Sequence, residues 1–498
     1  MQKKHQYWLI AIFLITLLTR LILAFSIPNL TYDSYFDLRH VEYISQQGIP
    51  LYQDSLSYGG RELIFLPLFH YLAALFNLFL PLILVAKILP NLLFASLPII
   101  VYFISRNDSA PESNAPLFSA FIAGFLPILY STNSFSSSSL LLPLTFLALY
   151  AFLNIKQKKY LYLYIGAFLL ASLTSSATIM LLISFTIYFL LFILEGQKIK
   201  RAELELMLFS LFFYIWLQLI FFKDTFLHEG IGFIWQNIPP QMILDYFPKI
   251  TLAQALLLVS VIPFLTGVLV AYRSLFKLKD PKTFLLISFV ISTTLLTWFR
   301  LMEFQLSLAF FGIILSILFS NFYNESKDYF QKTKAPQAWK IFISIIMILL
   351  IVTTVLPAVA TASAQKTPPD EDVAAFTWLK TNTPEDSTVV SLLEEGPLVA
   401  YYGQRKNFMD EQFTLVDNVE ERFTDLDKLF KTKLETEALR ITDQYNIDYI
   451  ILTPQAKERY AVDTLPYKSA DGCFDRIYHN NTKIYDIDCS LEKTEVQG

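Results

Sequence analysis

The run Tyr32-Asp33-Ser34-Tyr35-Phe36-Asp37-Leu38-Arg39-His40 packs two carboxylates, an arginine and a histidine into nine residues directly after the first apolar segment. A carboxylate so placed can orient or deprotonate an acceptor, or hold a divalent metal such as Mg or Mn, while an arginine offsets charge on a phosphate leaving group. Ionisable groups at a membrane are costly and concentrate where something polar docks. The run therefore reads as the floor of an active site, with Asp33 as the acting carboxylate and Asp37, Arg39 and His40 as substrate contacts. Two blander readings stand beside it: Asp33 as a helix N-cap, and Asp37 with Arg39 as an interfacial ion pair.

Other polar groups extend the set. His228-Glu229 lies in the segment 223–250, and Arg300-Leu301-Met302-Glu303 follows a late apolar stretch. Arg300 and Glu303, three residues apart, also suit a simple helix-end pair. Arg20 and Lys87 fall inside apolar runs, where a cation needs an anion such as a lipid phosphate or must snorkel to the headgroups. These are parts for group transfer from a lipid-phosphate donor.

The elements that position them are apolar. Hydrophobic residues make up 54% of the 498-residue chain, charged residues only 16%, and the mean hydropathy is +0.46, which is too high for an ordinary soluble surface. The net charge of −4 gives no basic excess for a phosphate backbone, so nucleic acid is excluded as a partner. Apolar runs at 7–27, 81–105, 116–132, 138–153, 160–173, 178–194, 204–222, 251–271, 283–298, 305–322 and 341–360 predict about eleven transmembrane helices. The first is read as an uncleaved span. Leu63 to Leu80, with Pro67 and His70, reads as an amphipathic helix in the interface. With the N-terminus cytoplasmic, seventeen Lys and Arg fall in inner segments and five in outer ones, as the positive-inside rule asks. Gly-rich phosphate loops are absent, so any donor must carry its own activation.

The chain thus divides into a transmembrane domain, 1–360, with a first outer loop at 28–80, and a soluble extracytoplasmic domain, 361–498. The second begins at Thr367-Pro368-Pro369-Asp370-Glu371-Asp372 and reads as α/β, with a helix at Val373 to Lys380 and strands at 387–391 and 449–452. Outside the cell Cys473 and Cys489, flanking a hairpin, form a disulfide most simply, with two free buried thiols as the alternative. Asn480-Asn481-Thr482 and Asn29-Leu30-Thr31 match the glycosylation sequon.

A first span, an acidic first loop with Gly48-Ile49-Pro50, Asp54 and Tyr58-Gly59, then Pro67-Leu68-Phe69-His70-Tyr71-Leu72, together resemble the GT-C membrane glycosyltransferases. Within them the chain is most similar to the catalytic oligosaccharyltransferase subunits of the STT3, AglB and PglB type. The resemblance implies a polytopic α-helical GT-C-like fold with an outward α/β domain, and a sugar donor linked to polyprenyl or dolichyl phosphate. It implies that Asp33 binds metal and acceptor, that Glu229 completes the site and that Arg300 contacts donor or acceptor. The hydroxyl-recognition motif of the family maps onto Leu392-Leu393-Glu394-Glu395-Gly396, followed by Tyr401-Tyr402-Gly403-Gln404-Arg405, which makes Glu394 and Glu395 acceptor-side candidates, although a plain turn after a strand is the simpler reading of both. Two departures stand out. Ser134-Phe135-Ser136-Ser137-Ser138-Ser139 replaces the second acidic motif, and both tryptophans of the recognition motif are missing.

Two functions follow. One is an enzyme that moves a sugar or oligosaccharide from a lipid-linked donor in the bilayer to a protein asparagine or another glycan. The other is an inactive relative that binds lipid-linked glycan or a partner. A transporter predicts midplane charges and interrupted helices, whereas here the charges gather at the outer ends of spans.

Overall fold

The computed structural model describes residues 3–107, 109–236, 239, 242, 250–278, 280–468 and 472–491. Lys249 and Lys279, used above to orient the chain, lie outside them. The chain forms two compact units: residues 1–28, 66–224 and 250–365 make the first, and residues 29–65, 225–249 and 366–498 the second. The first outer loop is thereby divided near Phe65, with its earlier part grouped with the C-terminal residues.

The first unit is helical. Every apolar run predicted as a span contains a helix, but the lengths do not support eleven crossings. Among the described residues six helices are long and apolar enough: Lys3–Ser26, Leu82–Arg106, Ser176–Leu194, Arg201–Glu229, Phe304–Gln331 and Ala338–Ser363. A seventh crossing is reached if Leu252–Leu258 and Val261–Phe276, bent by 91°, count as one. Ala115–Gly124 and Ser138–Leu153 are shorter; at 16 residues the latter rises about 24 Å, less than the ~30 Å of hydrocarbon. The 91° bend has a local cause. Ser260 takes a left-handed φ of 67° and Pro263 supplies no amide donor to the next turn.

Phe146, Phe168, Phe185, Phe289 and Phe310 form the centre of the main core. Gly124 sets one close approach: a Cβ there would stand 2.6 Å from the Thr16 hydroxyl and 3.2 Å from the Pro98 ring. The predicted interface helix appears as Leu68–Asn77, begun by Pro67.

The second unit is mixed. A five-stranded sheet has the order β4-β3-β5-β7-β6, where β3 is Thr388–Val390, β4 Lys406–Asn407, β5 Tyr449–Leu452, β6 Phe474–His479 and β7 Lys483–Ile487. β4, β3 and β5 run parallel, while β5, β7 and β6 are antiparallel. Two of the parallel strands, β3 and β5, are buried throughout, as Thr388-Val389-Val390 and Tyr449-Ile450-Ile451-Leu452. The Asp370–Asn382 helix precedes β3 and contains the predicted 373–380 segment. Cys473 and Cys489, at the ends of the β6–β7 hairpin, are joined by a disulfide. A small antiparallel pair, β1 (Gln53–Asp54) with β2 (Arg61–Glu62), belongs to the same unit.

Candidate functional site

The Ser34–Gln47 helix presents the acidic run, ending at Gly48 in the left-handed conformation that a helix C-cap needs. Asp33 occupies its N-cap position, but its side chain makes no capping bond. The carboxylate is reachable at the surface. Protein around it raises its pKa above the ordinary aspartate value, with Asp37 adding to the rise, while the Thr31 hydroxyl and the Ser34 backbone oppose it. A carboxylate at the surface and free of capping duty can accept a proton from a docked hydroxyl or amide.

The neighbours on this helix have other duties. Arg39 donates two hydrogen bonds to Asp54, at 2.7 and 2.6 Å. Burial alone would lift the Asp54 pKa, but the Arg39 guanidinium and the Leu56 amide hold it below the ordinary range. His40 is buried, its Nδ1 2.8 Å from the Phe36 carbonyl and its ring against Phe36 and Phe65. Arg39 is thus held by a carboxylate, and His40 is enclosed by rings. Asp37, half-buried in the first turn, keeps company with Asp33.

The same helix packs on the segment after β3. Tyr35 lies 5.5 Å from the Tyr401 ring and 5.2 Å from Tyr402. Tyr32 is buried, and burial, with the charges of Glu395, Asp372 and Glu394 near it, raises its phenol pKa. The acidic run and the recognition-motif segment therefore meet.

Glu395 itself is fully buried, accepting from the Thr453 hydroxyl at 2.6 Å and the Leu392 amide at 3.2 Å. Burial, reinforced by Glu394 and Asp372, pushes its carboxyl up to about 8. Both Glu395 oxygens thus accept hydrogen bonds inside the domain. Glu394 accepts from Gln455 at 2.6 Å and pairs with Arg459 at 3.2 Å at the edge of solvent. Gly396 follows because a Cβ would fall 2.1 Å from the Met409 carbonyl. Arg405 donates to the Lys380 and Thr383 carbonyls, closing the Asp370–Asn382 helix.

Glu229 is exposed at the C-terminal end of its helix. Among the described residues no hydrogen bond joins it to Asp33, and no group of three His, Cys, Asp or Glu residues could hold a metal ion. The segment that follows it is tied down by Gln236, whose side-chain oxygen accepts from the Leu415 amide at 2.9 Å. An open recess of about 440 Å³ lies there, lined by Trp235, Gln236, Asn418 and Glu421 among others.

Arg300 and Glu303 belong to the first unit. Both are exposed in the turn before the Phe304–Gln331 helix, with Arg300 at a left-handed φ of 56°. Arg20 is 1% exposed, its Nε 3.0 Å from the Asn91 amide oxygen and its guanidinium 4.9 Å from the Phe94 and Tyr130 rings. Lys87 donates to the Ala24 and Ile27 carbonyls at the end of the first helix. In the serine run, Ser136 and Ser138 bond each other at 2.7 Å and Ser139 donates to the Ser136 carbonyl.

Sequence reasoning missed the residues that seat the first loop: Ser57 donates to Asp410 at 2.6 Å, Tyr58 to the Asp410 carbonyl at 2.5 Å, and Arg61 to Asp410 at 3.3 Å. The only signal for them was the Tyr58-Gly59-Gly60 turn, which marks a hairpin but not its partner.

This architecture is a GT-C-like fold of the STT3/AglB type. Archaeal oligosaccharyltransferase AglB from Archaeoglobus fulgidus, in a complex with an inhibitory peptide and a dolichol-phosphate, is similar at a TM-score of 0.72 and 16% identity, over 90% of this chain and 70% of that one. The Archaeoglobus fulgidus oligosaccharyltransferase tethered with an acceptor peptide containing the NVT sequon gives 0.71, also at 16% identity, over 90% and 69%. ArnT from Cupriavidus metallidurans bound to undecaprenyl phosphate gives 0.57 at 11%, over 97% and 98%. No protein-family model and no curated protein matches the sequence.

Proposed function

We propose that this integral membrane protein is a glycosyltransferase that moves a sugar or oligosaccharide from a polyprenyl- or dolichyl-phosphate-linked donor to a protein asparagine or another glycan on the extracytoplasmic face. The observation that carries the reading is Asp33, a reachable carboxylate without a capping bond, on a helix packed against the segment that matches the acceptor-recognition motif. The fold supports it, because the similar Archaeoglobus fulgidus and Cupriavidus metallidurans proteins have been captured with dolichol-phosphate and undecaprenyl phosphate.

In this reading the acceptor nitrogen or hydroxyl attacks the donor's anomeric carbon, the bond from that carbon to the phosphate oxygen breaks, and the acceptor proton passes to Asp33. Asp37 and Glu394 are the acidic neighbours of the acceptor. Glu229 is the candidate for completing the site within the same unit, and Arg300 and Glu303, in the first unit, are candidate substrate contacts. An Archaeoglobus fulgidus relative was crystallised with Zn and sulfate. Asp33 and Glu229 are the residues that would hold a divalent metal here, but the described residues do not gather a third ligand beside them, so no step is routed through one.

Asp33→Ala in native membranes supplied with lipid-linked donor is expected to lower transfer by about 10²- to 10⁴-fold. Because the Asp33 pKa is raised, the acid limb of the rate profile is expected above the ordinary aspartate range. Transfer equal to wild type in Asp33→Ala removes this residue from the mechanism. The serine run at 134–139 supports the alternative, an inactive lipid-glycan-binding relative, and donor binding without turnover by the unmodified protein would select it.

A further inference from the structure

A second polar recess lies in the second unit, apart from Asp33. It encloses about 380 Å³, within the range of small-ligand sites. Its wall is built at the amino ends of the parallel strands, from Asp386 and Thr388 at β3, Lys406 at β4 and Asp448 at β5. The Tyr58-Gly59 turn of the first loop forms another side.

The centre of the recess is Arg422. Its guanidinium rests 5.1 Å from the Tyr445 ring and 5.6 Å from both Tyr58 and Phe408, and it donates to the Phe408 carbonyl at 3.2 Å. Three rings and a carbonyl fix the planar group in place, so little conformational freedom is left to lose on binding. None of the ion pairs among the described residues includes it. The other cation, Lys406, is occupied by Asp386 at 3.3 Å. Gln444, Asn446 and Asp448 are exposed on the rim and offer amide and carboxylate groups.

This pattern selects among ligands. A neutral sugar leaves the fixed guanidinium without a counter-charge. A phosphate supplies one, but its second negative charge adds repulsion from Asp448 that a singly charged carboxylate does not meet. A sugar that bears a carboxylate meets both demands: the carboxylate pairs with Arg422, and the ring hydroxyls donate to Asp448 and exchange hydrogen bonds with Gln444 and Asn446. We propose that the recess around Arg422 is a binding site for an acidic sugar residue of the hexuronate class.

The test needs no donor and no turnover, so its failure leaves the transfer reading untouched. The full chain in phosphatidylcholine nanodiscs is titrated with methyl β-D-glucuronide and methyl β-D-glucoside by saturation-transfer NMR, with sodium acetate and inorganic phosphate as competitors. The glucuronide is expected to bind saturably, the glucoside at least tenfold more weakly, and neither anion to displace the glucuronide at equal concentration. Arg422→Gln should weaken glucuronide binding at least tenfold, and Gln444→Ala, on an exposed side chain that leaves the fold intact, several-fold. No saturable glucuronide binding, equal affinity for the two glycosides, displacement by acetate or phosphate at equal concentration, or unchanged affinity in Gln444→Ala each overturns the proposal. If Arg422→Gln fails to fold, Arg422→Lys, which keeps the charge but not the paired planar donors, takes its place, with weaker glucuronide binding expected.

Discussion

In the helical unit Arg20 meets an amide oxygen and two aromatic rings, and Lys87 meets two backbone carbonyls. In the mixed unit Arg39 and Arg61 meet carboxylates, those of Asp54 and Asp410. The difference follows from what surrounds each cation. Bringing a carboxylate into an apolar bundle means stripping water from a second ion, and the pair's attraction often fails to repay that cost. Carbonyls at a helix end are already unsatisfied and carry partial negative charge, so Lys87 completes a need that the first helix already has. In the mixed unit each carboxylate also collects other donors: Asp54 takes the Leu56 amide, and Asp410 takes the Ser57 hydroxyl, the Asn407 amide and the Gln412 backbone. There the ion pair is one part of a wider network.

If that contrast is right, removing a partner should hurt the mixed unit more. Asp410→Ala takes the carboxylate from a buried guanidinium, which keeps the Gln412 and Thr414 carbonyls, and from three other donors. It is expected to cost about 4 kcal/mol, read as lost amide-exchange protection around β4 and the β1–β2 hairpin. Cys473→Ser opens a bridge spanning 16 residues and should cost about 3 kcal/mol by the same readout at β6 and β7. Asn91→Ala takes the amide from Arg20 but leaves both rings, and should cost about 2 kcal/mol, seen in the denaturation midpoint of the helical unit. A larger loss for Asn91→Ala than for Asp410→Ala would break the comparison.

The smallest effect sharpens it through pH. Glu395 has a folded-state pKa of about 8. Between the ordinary glutamate value and that figure the folded protein holds a proton that the unfolded chain has released, so stability falls as pH rises through this window. Unfolding midpoints measured from pH 5 to pH 9 should show the slope in the wild type, and Glu395→Gln, uncharged throughout, should lose that part of it.

Much of the architecture could be read in advance because apolar runs announce helices. The strands at 388–390 and 449–452 showed themselves as compact β-branched and apolar stretches. The number of crossings could not be read, since composition marks an apolar segment but not where Ser260 bends it or where a helix stops at 16 residues. In the candidate site, the company Asp33 keeps singles it out in the sequence, but Arg39 and His40 look identical to it by that test, and only three-dimensional neighbours separate an exposed carboxylate from an arginine already engaged. Glu395 shows the converse, since a carboxylate beside a turn gives no hint that Thr453 and Leu392 enclose it.

The bond from Ser57 to Asp410 spans 353 positions of chain. During synthesis the Tyr58 turn leaves the ribosome long before β4 exists, so this part of the second unit must wait, through the making of nearly every helix, for the residues it binds. Completion of that unit is therefore set by the last part of the chain to emerge. A ribosome-arrested nascent chain stopped before Asp410 should leave Arg61 open to chemical modification, and one released after the full length should protect it.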